Sequence, residues 1–403
     1  MNEHAGAYVD SMVERLHGGP PLGRRTGGAW AALPSRSRPR LVVGPGSALS
    51  AARSVSRQTQ GRRARTRVFR VLATAAVVSG LPARLPACAL PVRADDDRSS
   101  PLGAVLDLLG APTAQVTMSV GPPRANRKPV LQLSDEGGRP LAYVKVGHDD
   151  LTRSLVRHEA RSLARVAEAA PPTLRCPDVL GLVEQDGLAM LVLAPLAFPG
   201  RAVPGRRARE ALVRCVADVA SISGPRRSSW STAPWAQRLQ ASLAGSGPTG
   251  ERLLEQLATL TTRHPQLVTS TWHGDLNPGN VLLHEGGAVV WDWERFEDGP
   301  PLGADLLHHH LSRSLFVRGE DPAASARSSI ETAPDLLAPL LPAADGQEAD
   351  AVARLYLVAL AARYLEDRRD SPVSPVARVE DWLLPALERA PTTPRTTHRR
   401  RRP

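Results

Sequence analysis

The sequence predicts an α+β fold in which a strand-rich segment with one helix precedes a mainly helical half. Alternating apolar residues between turn signals predict five strands in the first segment: 115–120, 129–133, 141–146, 179–184 and 188–193. Helical periodicity over 151–169 lies between the third and fourth strands. The second half reads as helices: 206–221, 235–243, 250–263, 305–316, 348–367 and 379–389. One hairpin, within 270–295, is embedded among these helices.

The first hundred residues have a different composition and are predicted to form an N-terminal extension, 1–100. The first forty are rich in Gly, Pro, Arg and Ser without sustained periodicity, so we expect partial disorder there. A strand pattern at 40–44 and a helical pattern at 66–81 suggest a small accessory subdomain. The predicted domains are therefore the extension, a first lobe at 101–196, a second lobe at 197–390 and a basic disordered tail at 391–403.

The charge of the chain is concentrated at its two ends. The 403 residues carry a formal charge of +11, but residues 1–100 contribute +10 and the last thirteen +5, so the segment 101–390 is −4. An Arg-rich end can attract anionic partners, which leaves a binding module as an alternative function. Aromatic residues do not interleave with the basic ones, so no specific nucleic-acid recognition is expected.

Cysteine usage and hydropathy exclude two further classes of protein. The three cysteines lie far apart and form neither a disulfide framework nor a zinc motif. No apolar run approaches the roughly 20 residues needed to span a bilayer. A basic stretch followed by an apolar one, 62–81, has the order of a secretory signal but lies well inside the chain. We expect a cytoplasmic protein without a membrane span.

The segment 272–294 carries the residues most suited to chemistry. Phosphoryl transfer from a nucleotide needs a carboxylate near the acceptor hydroxyl and oxygen ligands for magnesium between the phosphates. Asp275 and Asn280 are five residues apart across a Pro-Gly loop, and Asp292 follows twelve residues later. The intervening hairpin folds the chain back, so Asn280 and Asp292 can meet at one metal site. Asp275 can then face the acceptor.

This segment resembles the aminoglycoside phosphotransferase family, small-molecule relatives of protein kinases whose catalytic loop reads HGDxxxxN. The resemblance implies that Asp275 is the catalytic base and that Asn280 and Asp292 bind Mg²⁺. It gives supporting roles to His273 and Asp305. It also implies a two-lobed protein-kinase-like fold over about residues 110–390, with a small antiparallel β lobe containing one helix and a larger, mainly helical lobe. The N-terminal extension stays unexplained.

The upstream strands supply residues for nucleotide binding. Kinase-like folds hold the α- and β-phosphates with a lysine on the third strand, oriented by a glutamate on the next helix. Lys145 ends the third predicted strand and is one of only two lysines in the chain, and Glu159 lies on the following helix. In the loop after the first strand, Ser119 and Gly121 are predicted to bind ATP. That loop has one glycine and two prolines, which donate no hydrogen bond, so Asn126, Arg127 and Lys128 are candidate compensating donors.

The predicted function is therefore ATP- and Mg²⁺-dependent transfer of the γ-phosphoryl group to a hydroxyl of a small molecule. A nucleotide-binding pseudokinase is a further alternative. The acceptor stays open: an aminoglycoside is a polycation and would favour an acidic wall, yet residues 198–390 contain 24 acidic residues against 20 arginines. Sugars, amino alcohols and biosynthetic intermediates remain candidates. The run 308–310, three consecutive histidines, is expected to serve packing or surface roles, because consecutive helical residues point in different directions.

Overall fold

The computed structural model describes residues 2–18, 30–58, 64–80, 85, 87–90, 99–121, 126–197, 202–342, 344–370 and 378–389. The predicted tail at 391–403 lies outside these residues, as do parts of the extension and residues 122–125 of the loop after the first predicted strand. The chain divides into two compact units. The first contains Met1–Ala164 and Pro177–Ala197, and the second contains Arg165–Cys176 and Phe198–Pro403.

The first unit is built on an antiparallel sheet of eight strands in its described part. They are β1 (Trp30–Leu33), β2 (Leu41–Val43), β3 (Ala89–Leu90), β4 (Gln115–Ser119), β5 (Val130–Ser134), β6 (Pro140–Gly147), β8 (Val179–Gln185) and β9 (Leu188–Leu193), whereas β7 (Leu174–Arg175) belongs to the second unit. The order across the sheet is β3-β1-β2-β4-β5-β6-β9-β8. The five predicted strands are all confirmed. The sheet is larger than the predicted five-stranded lobe, because β2 pairs with β4 and continues the sheet through β1 and β3.

Among the described residues of this part of the chain, the helices are α1 (Asn2–Leu16), α2 (Ala48–Gln58), α3 (Ala64–Val78), α4 (Pro101–Leu108) and α5 (Asp150–Ala169). Ser100 caps α4 by accepting a hydrogen bond from the backbone N–H of Gly103, 3.0 Å away. The predicted helix at 151–169 is confirmed as α5. None of the described helices is long and apolar enough to cross a membrane.

The described part of the N-terminal extension packs against the sheet of the first unit. Val9, Met12, Val13 and Leu16 recur on one face of α1 and are almost fully buried, in one cluster with Met118 of β4 and other sheet residues. The opposite side of β1 and β2 packs in a second cluster with α2 and α3. The described part of the extension is therefore an integral layer of the first unit. Abundant Gly, Arg and Ser around these elements make the spacing of their apolar residues hard to recognise in the sequence.

The second unit is mainly helical, as predicted. Its helices are α6 (Gly205–Ser221), α7 (Pro234–Ala244), α8 (Gly247–Arg263), α9 (Ala304–Ser312), α10 (Pro322–Glu331), α11 (Ala333–Leu337), α12 (Gly346–Asp370) and α13 (Val379–Leu387), with a 3-10 turn at Trp230–Thr232 and a π-helical turn at Arg313–Arg318. Two three-stranded sheets lie among them. One contains β10 (Arg226–Ser228), β11 (Leu267–Trp272) and β14 (Glu297–Pro301); the other contains β12 (Val281–His284), β13 (Gly287–Val290) and β7. The α+β class is confirmed.

Candidate active site

The loop 273–280, called here the HGD loop, joins β11 to β12. Its second residue, Gly274, has a φ of +81°, a backbone conformation that favours glycine. A Cβ at this position would lie 2.3 Å from the backbone oxygen of Arg295. Glycine is therefore required here for two independent reasons, its backbone conformation and the lack of space for a side chain.

Asp305 fixes the start of the HGD loop from the first turn of α9. Its carboxylate accepts hydrogen bonds from the backbone N–H groups of His273, at 2.7 Å, and Gly274, at 3.1 Å. The side chain is buried, with 1% of its surface exposed. Burial raises the pKa of Asp305 to about 7, while the two N–H groups oppose that shift. Two backbone donors that would otherwise be buried without partners are thereby satisfied.

His273 joins the HGD loop to the end of the following hairpin. Its Nδ1 accepts a hydrogen bond from the backbone N–H of Asp275, and its Nε2 donates to the backbone oxygen of Trp291, each at 3.2 Å. The ring also meets the Trp293 ring edge to face, with 4.6 Å between centroids. Burial lowers the pKa of His273 to about 4. The neutral imidazole thus acts as one acceptor and one donor within the loop.

Both carboxylate oxygens of Asp275 accept hydrogen bonds. Oδ1 accepts from Nε2 of His308 at 3.0 Å, and Oδ2 accepts from Nδ2 of Asn280 at 2.9 Å. Burial alone would raise the pKa of Asp275, but the hydrogen bond from His308 and the charge of Arg363 outweigh it and hold that pKa well below its usual range. Asp275 is therefore ionised and held in one orientation.

Asn280 and Asp292 lie at the two ends of the β12–β13 hairpin. The amide nitrogen of Asn280 is used within the loop, so its side-chain oxygen is the atom suited to ligate a cation. The backbone oxygen of Asn280 accepts a hydrogen bond from the backbone N–H of Trp291 at 3.1 Å. Trp291 directly precedes Asp292 in the chain. Asp292 has a φ of +72°, a left-handed conformation rare for a residue with a side chain.

His308 was missed as a functional residue by the sequence analysis, which assigned it a packing or surface role. It is buried, and it lies between Asp275 and the hydroxyl of Tyr356, which is 3.1 Å from its Nδ1. Burial lowers the pKa of His308, so the neutral ring accepts from Tyr356 and donates to Asp275. A sequence signal did exist: His308 follows Asp305 by three residues, and residues so spaced share a helix face. The sequence predicts that consecutive histidines on a helix point in different directions. In the structure, His309 contacts the backbone oxygen of Leu276 rather than Asp275.

Arg363 of α12 also holds the HGD loop. Its Nη1 donates to the backbone oxygen of Gly274 at 2.8 Å. The residue lies 89 positions beyond Gly274 in the chain, and nothing in the sequence distinguished it from the other arginines.

The predicted nucleotide-binding residues lie in the first unit. Lys145 on β6 and Glu159 on α5 form an ion pair, with Nζ 2.6 Å and 2.7 Å from the two carboxylate oxygens. Glu159 is fully buried. Ser119 is the last residue of β4 and pairs in register with Val130, and Gly121 follows it before the stretch that the structure does not describe. The structure therefore brings Lys145 and Glu159 together, whereas Ser119 and Gly121 lie at the end of β4.

The sequence model of the phosphotransferase enzyme family matches residues 125–340, which is more than half of the chain. The chain belongs to this family. It is accordingly a phosphotransferase that acts on an alcohol group, a kinase, and its α+β fold is of the protein-kinase-like type. The matched range contains the HGD loop, Lys145 and Glu159, but ends before Tyr356 and Arg363. It also leaves out the whole N-terminal extension.

Several solved structures resemble the phosphotransferase chain at low identity. A protein assigned as a fructosamine-3-kinase from Haemophilus somnus 129PT has 16% identity and a TM-score of 0.47, covering 71% of this chain and 95% of its own. A thermostable mutant of aminoglycoside phosphotransferase APH(4)-Ia, in complex with ADP and hygromycin B, has 15% identity and a TM-score of 0.42, covering 70% and 95%. An amicoumacin kinase bound to AMP-PNP and Ca²⁺ has 16% identity and a TM-score of 0.41, covering 66% and 86%. No curated protein matches the chain significantly.

Proposed function

We propose that this phosphotransferase moves the γ-phosphoryl group of ATP to a hydroxyl of a small molecule, with Asp275 as the catalytic carboxylate. The observation that carries the proposal is the double hydrogen bonding of Asp275 by His308 and Asn280, in a loop that Asp305 fixes from behind. An oriented anion of this kind is what phosphoryl transfer requires. The transition state is loose, so positioning and electrostatics contribute more than strong basicity. Asp275 would accept and orient the proton of the attacking hydroxyl.

Asn280 and Asp292 fit a divalent cation, proposed to be Mg²⁺. Their side-chain oxygens are hard ligands of the kind that Mg²⁺ prefers. The amide of Asn280 is oriented by its two hydrogen bonds to Asp275. In the hairpin, Val281 pairs with Val290, so Asn280 and Asp292 follow from the same end of the paired strands. When bound, the ion would neutralise negative charge between the phosphates. The left-handed backbone of Asp292 is a strained feature of the sort that clusters at functional sites.

Lys145 is proposed to hold the α- and β-phosphates of ATP, and Glu159 to orient it. The ion pair between them supports this role, because it holds a lysine side chain that is only 13% exposed. Lys145 also lies on the third predicted strand, where kinase-like folds have the lysine that holds the phosphates. Ser119 and Gly121 would contribute from the loop after β4. His273 and Asp305 would act on the reaction only through the position of the HGD loop.

The acceptor is proposed to bind in a cavity of about 250 Å³ within the second unit. Its lining includes Gly274 and His308, one adjacent to Asp275 in the chain and the other hydrogen-bonded to it. A hydroxyl bound in this cavity would therefore lie near the carboxylate proposed to receive its proton. The volume lies slightly below the usual range of roughly 300–1,000 Å³ for ligand sites, which favours a small acceptor.

A coupled ADP-release screen tests the proposed function. The full chain, with ATP and Mg²⁺, is offered sugars, amino alcohols, hydroxy acids and aminoglycosides, and each positive acceptor is checked by mass spectrometry for a gain of one phosphoryl group. We expect acceptor-dependent release of ADP. ATP binding without turnover on any acceptor would instead support the pseudokinase. Salt-sensitive binding of RNA that is lost when residues 1–100 are deleted would instead support the binding module.

A further inference from the structure

The cavity proposed for the acceptor has a cationic wall. Arg238, Arg295 and Arg363 line it, against two carboxylates, Glu297 and Glu366. Glu297 is already paired with Arg238, and Glu366 accepts a hydrogen bond from Ser242 Oγ at 2.5 Å. Glu297 is therefore neutralised by Arg238, whereas Glu366 keeps a negative charge that faces Arg295, so the remaining arginines, Arg295 and Arg363, outnumber the remaining lining carboxylate. A polycationic acceptor would face guanidinium groups here without a free acidic wall to receive it.

Arg295 is the cation whose charge is least compensated. Its ion pair with Asp367 is long, at 3.8 Å, which is beyond hydrogen-bonding distance. Burial and the charge of the neighbouring Arg363 both lower the pKa of Arg295, with Asp367, Asp275 and Glu366 opposing. The surroundings thus disfavour a second positive charge at this point. An anionic group between the two guanidinium groups would offset both the repulsion and the desolvation.

The tryptophan Trp272 adds an unused hydrogen-bond donor to the same cavity. Its Nε1 is buried and has no hydrogen-bond partner among the residues that the structure describes. Leaving such a group unpaired is unfavourable, so a ligand atom that reaches Nε1 would gain a hydrogen bond. Trp235 and Trp272 meet edge to face, with 6.4 Å between ring centroids, and form an apolar side of the cavity. The lining therefore combines donors with aromatic surface.

We propose that the acceptor is a hydroxy acid: a small molecule with a hydroxyl for transfer and a carboxylate that binds Arg295 and Arg363. This inference rests on the proposed function, and it names the substrate class for that same site. The hydroxyl oxygen forms a bond to the γ-phosphorus, and the bond from that phosphorus to the β–γ bridging oxygen breaks. The hydroxyl proton goes to Asp275, and ADP leaves with the bridging oxygen. The product is a phosphate monoester that keeps its carboxylate.

A matched set of three probes tests the substrate class by binding alone. Gluconate, glucitol and glucamine share one polyol chain and differ at the terminal group, which is a carboxylate, an alcohol or an amine. Intrinsic tryptophan fluorescence of the full chain reports binding, because Trp235 and Trp272 line the cavity. We expect gluconate to bind roughly tenfold or more tightly than glucitol, since hydrogen bonds to charged groups are the stronger ones, and glucamine to bind most weakly. Equal responses, the absence of any response, or a preference for the amine would overturn the proposal.

Two variants and a control locate the preference. Arg295→Gln should reduce the gluconate-to-glucitol ratio toward one, and Trp272→Phe, which keeps the ring but removes the donor, should reduce it less. Arg252→Gln removes an arginine that pairs with Glu388 away from the cavity lining, and it should leave the ratio unchanged. A ratio that survives Arg295→Gln contradicts the assignment, and circular dichroism of each variant confirms that it is folded.

The failure of this inference is distinguishable from failure of the proposed function. Carboxylate-selective binding without phosphoryl transfer to any acceptor would contradict the kinase activity and keep the binding class. Transfer to neutral or cationic acceptors, with no carboxylate preference in either binding or turnover, would keep the kinase and contradict the hydroxy-acid class.

Discussion

The HGD loop and the N-terminal extension are both held in place by buried groups, but through different physical means. Directional hydrogen bonds among buried polar groups hold the loop, with Asp305, His308 and Arg363 each bonded to it from another element. The described extension is held by strand pairing and by apolar side chains such as Leu16, which is fully buried. A buried polar network fixes orientation, whereas apolar burial supplies most of the stability. Mutations in the two regions should therefore separate activity from folding.

Apart from the Asp275 variant described last, the largest effect is expected at the end of the β12–β13 hairpin. Asp292→Asn removes a ligand charge but keeps a residue that tolerates a positive φ, so transfer should fall by roughly a thousandfold because metal-bound charge stabilisation is worth several kcal/mol. ADP release across a Mg²⁺ titration measures this. The melting temperature serves as the control and should stay unchanged. Activity close to that of the unmodified chain would show that Asp292 is not a metal ligand.

Next in size is a change in the extension that affects folding alone. Leu16→Ala should lower the free energy of unfolding by about 2–5 kcal/mol, because it leaves a cavity in the core of the first unit. Denaturant unfolding of the full chain gives the value. Leu49→Ala is the matched control, since Leu49 is 54% exposed and its loss should cost no more than about 0.5 kcal/mol. Similar values for the two variants would contradict the packing of α1 into the core.

A smaller effect is expected at the histidine that contacts Asp275. His308→Phe fills the space but removes the donor, so kcat should fall by roughly tenfold to a hundredfold, the equivalent of one hydrogen bond to a charged group. His308→Gln can still donate from its amide and should recover part of the loss. Steady-state kinetics with an acceptor from the screen separates kcat from KM. Equal activity of the Phe and Gln variants would indicate a purely structural role.

The smallest effect is expected at the boundary between the extension and the first predicted strand. Ser100→Ala removes the cap of α4 and should cost about 1 kcal/mol of stability, with no change in kcat. Ser100→Asp keeps a side-chain oxygen in the same position and should cost less. Denaturant unfolding decides between them. If alanine proves as stable as aspartate, the hydrogen bond to Gly103 contributes nothing measurable.

The residues that chemistry constrains could be predicted from the sequence more readily than those that packing constrains. The five strands, α5 and the β12–β13 hairpin follow from period and turn signals, and the structure has each of them. Asp275, Asn280 and Asp292 could be predicted as site residues because a carboxylate, an amide and a second carboxylate at this spacing suit phosphoryl transfer. Their roles in the reaction stay predictions, as do those of Lys145 and Glu159.

The parts that the sequence did not predict depend on long-range partners. Strands β1 and β3 are four and two residues long, and a strand this short is defined by its neighbour in the sheet rather than by its own pattern; β2 does follow from the strand pattern at 40–44. Arg363 reaches the HGD loop from another helix, and no local spacing connects it to Gly274. His308 could have been found, because its helix face follows from Asp305, but only once Asp305 was known to face the loop.

Asp275→Asn tests the central claim most directly. The measurement is phosphoryl transfer from ATP to the acceptor found in the screen, followed by mass spectrometry, with ATP binding and the melting temperature of the same samples recorded beside it. The substitution keeps the size of the side chain and removes the charge that orients the hydroxyl. We predict a loss of roughly a hundredfold to ten-thousandfold in kcat, with ATP binding and melting temperature unchanged. Full transfer activity in this variant would contradict the assignment of Asp275 as the catalytic carboxylate.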